Sequence, residues 1–198
     1  MQITVYCSSS AATPVSYRDA AFRLGSLCAK RQVGVVYGGG GIGSMGHLAD
    51  GVLSEGGRIL GVMPHFMREL EWAHAGVADV VWTDDLSERK KLLMERGEAL
   101  VALPGGSGTL EELLEAITAK RLGIYLRPII IVNQNGFFDG LITLLDRCIS
   151  EEFMDARHRQ MWTVVGSVDE VFDAIAAAPA WSAQARAFAT KSPKQKGP

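Results

Sequence analysis

The run Pro104-Gly105-Gly106-Ser107-Gly108-Thr109, with Glu112 three residues further on, sets a carboxylate just beyond a glycine-rich turn. Free backbone N–H groups at the positive end of a helix dipole make an anion site, and phosphate is its usual occupant. The turn is no P-loop. Leucine follows Thr109, and no Gly-Lys-Ser/Thr is present to hold a triphosphate and magnesium. A monophosphate on backbone amides fits better. On the helix that follows, Glu112 falls well round from the apolar positions Leu110, Leu114 and Ile117, near Ala116 and Ala119, which suggests a pocket wall. Upstream, Arg89 and Lys90 stand in the second turn of another helix. If the strands feeding these two helices are neighbours, both helices start on one rim of the sheet, and Arg89 and Glu112 face one cleft. Lys91 and Arg96 share the Arg89 helix, so charge pattern alone also describes a plain solvated basic face.

A second glycine turn competes with the first. Gly41-Ile42-Gly43-Ser44-Met45-Gly46 matches the dinucleotide fingerprint G-x-G-x-x-G. That fingerprint also needs an acidic residue about twenty positions on, to hold the ribose hydroxyls. Here the region reads Ile59-Leu60-Gly61-Val62-Met63-Pro64, with no carboxylate at the strand end, and the turn follows the second strand rather than the first. Nicotinamide dinucleotide binding is therefore disfavoured. The unbroken run Gly38 to Gly41 still exceeds what packing needs, and places Gly39 and Gly40 within reach of a ligand.

Positioning these turns requires alternating strands and helices. Strands are expected at 2–7, 33–37, 58–63, 80–82, 99–103, 128–132 and 162–165, most of them continuously apolar. Helices are expected from Val15 to Arg31, through Leu48, Val52 and Leu53 up to Gly56, from Asp85 to Gly97, after Thr109, from about 136 to 151, and from Val168 to Ala177. Asp85 with Glu88 three residues on reads as a capping box. Residues 65–78 read as a helix or loop around Glu71 and His74. The pattern predicts an α/β fold: a Rossmann-like, doubly wound parallel sheet covered on both faces, with ligands outside the carboxyl ends of the strands. One nucleotide-binding domain is expected over 1–180. A tail follows over 181–198, its Lys/Pro/Ser/Gly-rich end from about Lys191 disordered.

Composition narrows the function classes. The 198 residues are 47% hydrophobic and 21% charged, which supplies a core with ease. A formal net charge of -2 gives no electrostatic footprint for nucleic acid or an acidic membrane. Cys7, Cys28 and Cys148 lack metal spacing and read as reduced thiols of a cytoplasmic protein, and the four histidines form no ligand pattern. No metal and no cofactor are expected. No secretory signal and no apolar run approaching ~20 residues is visible, so no membrane partner is expected either.

The run Asp85-Leu86-Ser87-Glu88-Arg89-Lys90, followed by Ala102-Leu103-Pro104-Gly105-Gly106-Ser107-Gly108-Thr109-Leu110-Glu111-Glu112, resembles the Lonely Guy family of cytokinin-activating enzymes. The family motif P-G-G-x-G-T-x-x-E, preceded by an Arg-Lys pair, is matched at every fixed position. Val5 to Ser10, Val36 to Gly40 with Gly43, Met45 and Gly46, Gly56-Gly57, and Gly61 to Pro64 extend the resemblance over about 2–178. Ser8 stands where glycine is common in the family. The resemblance implies hydrolysis of the N-glycosidic bond of N6-modified adenosine 5′-monophosphates to free base and ribose 5-phosphate. It implies catalysis by Arg89 and Glu112. Substrate would be held by Lys90 and the turn from Gly105 through Leu110 and Glu111, with Thr118 lining the site. The family's upstream glutamate falls on Glu71 by ungapped counting from Arg89, with Glu69 as the alternative. A homodimer is implied as well, and Ala116 and Ala119 offer a small-residue helix face for a partner. The label lysine decarboxylase, often carried by members, is rejected: no lysine stands in a setting suited to pyridoxal phosphate. A non-catalytic nucleotide or cofactor carrier of the same fold is the alternative, since fold does not settle function.

Overall fold

A computed structural model describes residues 1–68 and 73–190. Its seven strands are β1 (Gln2–Tyr6), β2 (Gly34–Tyr37), β3 (Ile59–Pro64), β4 (Val80–Thr83), β5 (Ala99–Ala102), β6 (Ile129–Val132) and β7 (Thr163–Val165). All pair in parallel, in the order β4-β3-β2-β1-β5-β6-β7. The chain winds outward from β1 to one edge, returns to β5 beside β1, and winds to the other. That is the doubly wound sheet expected from the sequence, with its topological switch between β1 and β5.

Because side chains alternate across a strand, a sheet covered on both faces needs apolar residues at every position. Ile3 and Val5 of β1, Val35 and Tyr37 of β2, and Ile130 and Val132 of β6 enter one core. Tyr6, Val36, Ile129 and Ile131 enter the other. The first core is covered by α1 (Val15–Lys30), α2 (Gly43–Ser54) and α6 (Val171–Ala177), the second by α3 (Leu86–Arg96), α4 (Ser107–Arg121) and α5 (Asp139–Ser150). The α1 and α2 backbones touch: a Cβ on Gly51 would lie 2.0 Å from the Phe22 carbonyl oxygen. The last helix closes against β6 and β7, and Pro64, expected just past β3, instead pairs within it opposite Thr83.

Three sequence expectations are corrected. First, β4 and β5 are not neighbours. β4 is an edge strand, and β3, β2 and β1 lie between the two. Arg89 reaches Glu112 because α3 runs back beneath the sheet. Leu93 of α3 is fully buried, and its carbonyl accepts the Thr4 hydroxyl of β1 at 2.6 Å. The Arg127 guanidinium also clamps the far end of α3 through the carbonyls of Met94, Glu95 and Gly97.

Second, the buried stripe of α4 is rotated from the Leu110/Leu114/Ile117 stripe. Thr109, Glu112, Leu113, Ala116, Ile117 and Lys120 are buried, whereas Leu114 is 40% exposed. Sequence spacing marks an apolar face but does not register that the inward side also carries a glutamate and a lysine. It follows, third, that Ala116 is sheet-facing core at 0% exposure and offers nothing to a partner chain, while Ala119 is half-buried.

Local chemistry explains the α3 start. The Asp85 carboxylate accepts the Glu88 N–H at 2.8 Å, and the Glu88 carboxylate reaches back to the Asp84 N–H at 2.9 Å. The reciprocal contact is thus one residue earlier than a capping box places it. Residues His65–Arg68 form one 3₁₀ turn. Glu69 and Glu71 lie outside the described residues, as does the segment from Lys191 on. The chain packs beyond the expected boundary at 180: the Trp181 indole donates to the Lys120 carbonyl at 2.8 Å, and Ala185 and Ala189 are buried.

Candidate active site

Strands β1 and β5 pair in register, Tyr6 opposite Ala102, and the Leu103 N–H donates to the Tyr6 carbonyl at 2.9 Å. The loops that leave them therefore run side by side at the carboxyl end of the sheet, where α/β folds bind ligands. Between them opens a cleft of about 290 Å³, lined by Cys7, Ser8, Ser9 and Ser10 on the β1 side and Gly106, Ser107, Gly108 and Thr109 on the β5 side. Arg89 and Glu112 also line it, with Met45 and Met67. This is near the lower end of the ~300–1,000 Å³ usual for ligand pockets.

The β5 turn is shaped by its glycines. A Cβ on Gly105 would stand 2.2 Å from the Thr109 hydroxyl oxygen, so the turn closes tightly onto the first turn of α4. Nothing lies within 4 Å of a Cβ built on Gly106 or Gly108, both open to the cleft. The first N–H groups of a helix have no partner inside it. Those of Ser107, Gly108 and Thr109, together with the α4 dipole, favour an anion here.

The Arg89 and Glu112 side chains meet at the cleft floor, 7% and 6% exposed. Arg89 Nη1 donates to Glu112 Oε1 at 3.3 Å, Nε to the Val62 carbonyl at 3.1 Å, and Nη2 to the Gly38 carbonyl at 3.3 Å. One guanidinium thus ties the ends of β2 and β3 to the carboxylate on α4. Tyr6 sits beside the pair, and its phenol is pushed well above its ordinary range by burial and next by the Glu112 charge. It remains a neutral neighbour.

The glycine run after β2 serves the chain itself. A Cβ on Gly38 would meet Arg89 Nη2 at 2.4 Å, so its absence makes room for the arginine. Gly39 and Gly40 are buried and do not line the cleft; Gly40 bridges Ala73. The N-terminus of α2, where a dinucleotide pyrophosphate would sit, is covered. The Met45 N–H donates to the Ser8 carbonyl at 3.0 Å, and Gly43 (φ +63°) leaves space that Ser8 and Ser10 backbone atoms fill. The fingerprint match is a packing device here.

Lys90 is turned away from the cleft, paired with Glu111 at 2.5 Å and Glu115 at 3.1 Å between α3 and α4. Leu110 is half-buried, and Glu111 and Thr118 are exposed on the outer side of α4; none of the three lines the cleft. Conversely, Cys7, Ser8, Ser9, Ser10, Met45 and Met67 line it without having been singled out from the sequence as site residues. The signal for the first four was their position after the first strand, next to a switch point.

A family model described as "Possible lysine decarboxylase" matches residues 45–175. The cytokinin riboside 5′-monophosphate phosphoribohydrolase LOG1 of Arabidopsis thaliana is 40% identical over 159 residues, 79% of this chain and 75% of that one. The probable cytokinin riboside 5′-monophosphate phosphoribohydrolase LOGL1 of Oryza sativa subsp. japonica is 41% identical over 160 residues, 81% of this chain and 72% of that one. The chain belongs to the Lonely Guy family. Among solved structures, a structural-genomics target shares the fold at a TM-score of 0.69 and 25% identity, over 88% of this chain and 98% of that one. The molybdenum cofactor carrier protein of Chlamydomonas reinhardtii does so at 0.67 and 21%, over 89% and 96%. The second likeness speaks for the fold alone.

The decarboxylase wording of the family model finds no support in this cleft: among the described residues, its lining includes no lysine to form a Schiff base. Lys120 is the deeply buried lysine of the described residues, pushed down to about 8 by burial. Its ammonium, however, donates to the Arg127 carbonyl at 2.7 Å and faces the Trp181 ring, outside the cleft lining.

Arg89→Ala is expected to lower turnover by about 10²-fold or more, since it removes the cation that donates to the Glu112 carboxylate in the cleft. Stability should fall as well, by up to ~3–5 kcal/mol, because the substitution breaks the buried Arg89–Glu112 ion pair. Arg96→Ala, exposed in the last turn of α3, should change stability by no more than ~0.5 kcal/mol and leave turnover intact. Steady-state rates and thermal melts of both variants check this; equal loss of activity in the two would remove any special role for Arg89.

Proposed function

We propose that this protein hydrolyses the N-glycosidic bond of N6-modified adenosine 5′-monophosphates, releasing the free cytokinin base and ribose 5-phosphate. The observation that carries the reading is the single cleft in which a carboxylate–guanidinium pair lies next to the open amides of the α4 N-terminus. The phosphoribohydrolase names of relatives at 40–41% identity support the same chemistry.

In this reading the phosphate sits on the amides of Gly106 to Thr109, and its binding energy places C1′ over the floor of the cleft. Cleavage of the C1′–N bond develops oxocarbenium character on the ribose. The Glu112 carboxylate stabilises it and takes a proton from the attacking water, as carboxylates do in glycoside hydrolysis. The departing base leaves with the bonding electron pair and takes up a proton from solvent. Glu112 releases to solvent the proton it took from water, so the carboxylate is restored and the net change is water added across the C1′–N bond. Arg89 holds Glu112 in place and offsets negative charge developing nearby. Lys90 acts at one remove, by tying α3 to α4 through Glu111 and Glu115.

A carrier of the same fold would bind nucleotide without cleaving it. Incubating the protein with AMP and with N6-isopentenyl-AMP, and measuring each free base by chromatography, tests the reading. Release of base from either supports hydrolysis, the relative rates give the preferred substrate, and retention of both intact would favour the carrier.

We further propose that the protein works as a homodimer in the cytoplasm. The support lies on the outer α3/α4 side, where Leu114, Ile124 and Leu126 are 40%, 66% and 42% exposed. A groove of about 460 Å³ lined by Met94, Ala119, Tyr125 and Leu126 continues that surface. Apolar area of this kind marks association sites, and a C₂ pairing would bury it against itself. Light scattering over a dilution series should give a dimer mass; a monomer mass with full activity at every concentration would end the proposal.

A further inference from the structure

We propose that Ser9 is a positioning residue for the substrate phosphate, its Oγ–H donating to a phosphate oxygen across the cleft from the α4 amides. The inference rests on the reading of this cleft as a nucleoside monophosphate site.

Register carries the first part of the argument. Tyr6 and Ala102 are the last paired residues of β1 and β5, and the Leu103 N–H still reaches the Tyr6 carbonyl, so the loop carrying Ser9 and the turn carrying Gly106 leave the sheet at the same edge. Ser9 and the four residues Gly106 to Thr109 line the same cleft.

The hydroxyl inventory of the loop carries the second. Ser8 Oγ and Thr13 Oγ1 share a hydrogen bond at 2.8 Å, and Ser8 Oγ also accepts the Ser10 N–H at 3.1 Å. Ser10 Oγ accepts the Ala12 N–H at 3.3 Å. These hydroxyls shape the loop. Ser9 is half-buried, and its hydroxyl takes no part in that hydrogen bonding.

Rigidity carries the third. The Ser8 carbonyl is fixed by the Met45 N–H, and Ser8 and Ser10 backbone atoms pack into the space at Gly43. The loop holding Ser9 is thereby pinned to α2 on one side and faces α4 on the other. A hydroxyl held in place beside an anion cradle supplies a donor from a direction the helix amides cannot. Preorganised donors of this kind cost little reordering on binding.

Ser9→Ala should raise KM for AMP about tenfold with kcat changed less than threefold, and weaken binding of the product ribose 5-phosphate by the same factor. A tenfold change corresponds to ~1.4 kcal/mol, the scale of one hydrogen bond to a charged group. Ser9→Thr, which keeps the hydroxyl, should recover most of the loss. Thermal melts of both variants should match the parent protein, because among the described residues the hydroxyl makes no hydrogen bond that holds the loop.

Unchanged KM and ribose 5-phosphate affinity in Ser9→Ala would overturn the proposal, as would a loss that Ser9→Thr does not recover. Calorimetry with AMP keeps it separate from the reading of the reaction. If the parent protein binds AMP without cleaving it, hydrolysis fails while Ser9 is still judged on the change in Kd. If the parent binds neither AMP nor ribose 5-phosphate, both fail together.

Discussion

Glu112→Gln is expected to lower base release from AMP by ~10²–10⁴, the range typical for loss of a general base. AMP binding should persist, because the phosphate cradle at Gly106 to Thr109 is untouched. The amide is nearly the same size as the carboxylate and keeps an oxygen to accept the Arg89 Nη1–H. Arg89 also keeps the Val62 and Gly38 carbonyls, so the buried guanidinium is not stranded. A stability loss of ~1–2 kcal/mol is therefore expected, well short of the ~3–5 kcal/mol that follows when a buried charge loses its partner outright. Single-turnover rates, AMP calorimetry and thermal melts together separate the effects. Near-parental turnover would show that the carboxylate is a structural counter-ion to Arg89 and that the proton goes elsewhere.

Much of this arrangement was legible before any coordinates. Continuous apolar strands alternating with helices imply a doubly covered parallel sheet, because each strand must satisfy two faces. The glycine turn before α4 and the carboxylate beyond it were legible for a similar reason: both are local, set by dihedral angles and a helical period. What could not be read locally was misjudged. The path of α3 beneath the sheet depends on packing by Leu93, on the Thr4 hydroxyl and on the Arg127 clamp. No spacing within α3 announces any of them. Leu114 looked inward by period, yet α4 turns Glu112 and Lys120 inward and leaves Leu114 exposed.

The glycine run after β2 is the sharper case. Its sequence admits either a ligand or the chain as the close neighbour, and the neighbours are Arg89 at Gly38 and the Ser8–Ser10 loop at Gly43. Both come from distant segments. The same run thus contributes to the site indirectly, by giving Arg89 room to cross from α3 to the Gly38 carbonyl. The acidic residue upstream of Arg89 lies outside the described residues, whether at Glu69 or Glu71.

Cleavage should depend on the 5′-phosphate far more than on the base. Among the described residues lining the cleft, the β5 turn offers backbone amides together with the Ser107 and Thr109 hydroxyls, and such donors have no affinity for a neutral hydroxymethyl group comparable to that for a dianion. If three charge-assisted hydrogen bonds are lost with the phosphate, at ~1.5 kcal/mol each, kcat/KM for adenosine should fall about 10³-fold below that for AMP. Part of that loss should appear in kcat, because remote binding energy is what holds C1′ over Glu112 in the reactive position. Supplying inorganic phosphate or phosphite with adenosine should restore a fraction of the rate if the cradle acts by being filled, and Gly106→Val, which places a branched side chain in open space before α4, should block that rescue. Comparable kcat/KM for adenosine and AMP would refute the cradle. It would leave the α4 N-terminus as a tight turn and move the search for the substrate's anchor to the base, against Met45 and Met67, which also line the cleft.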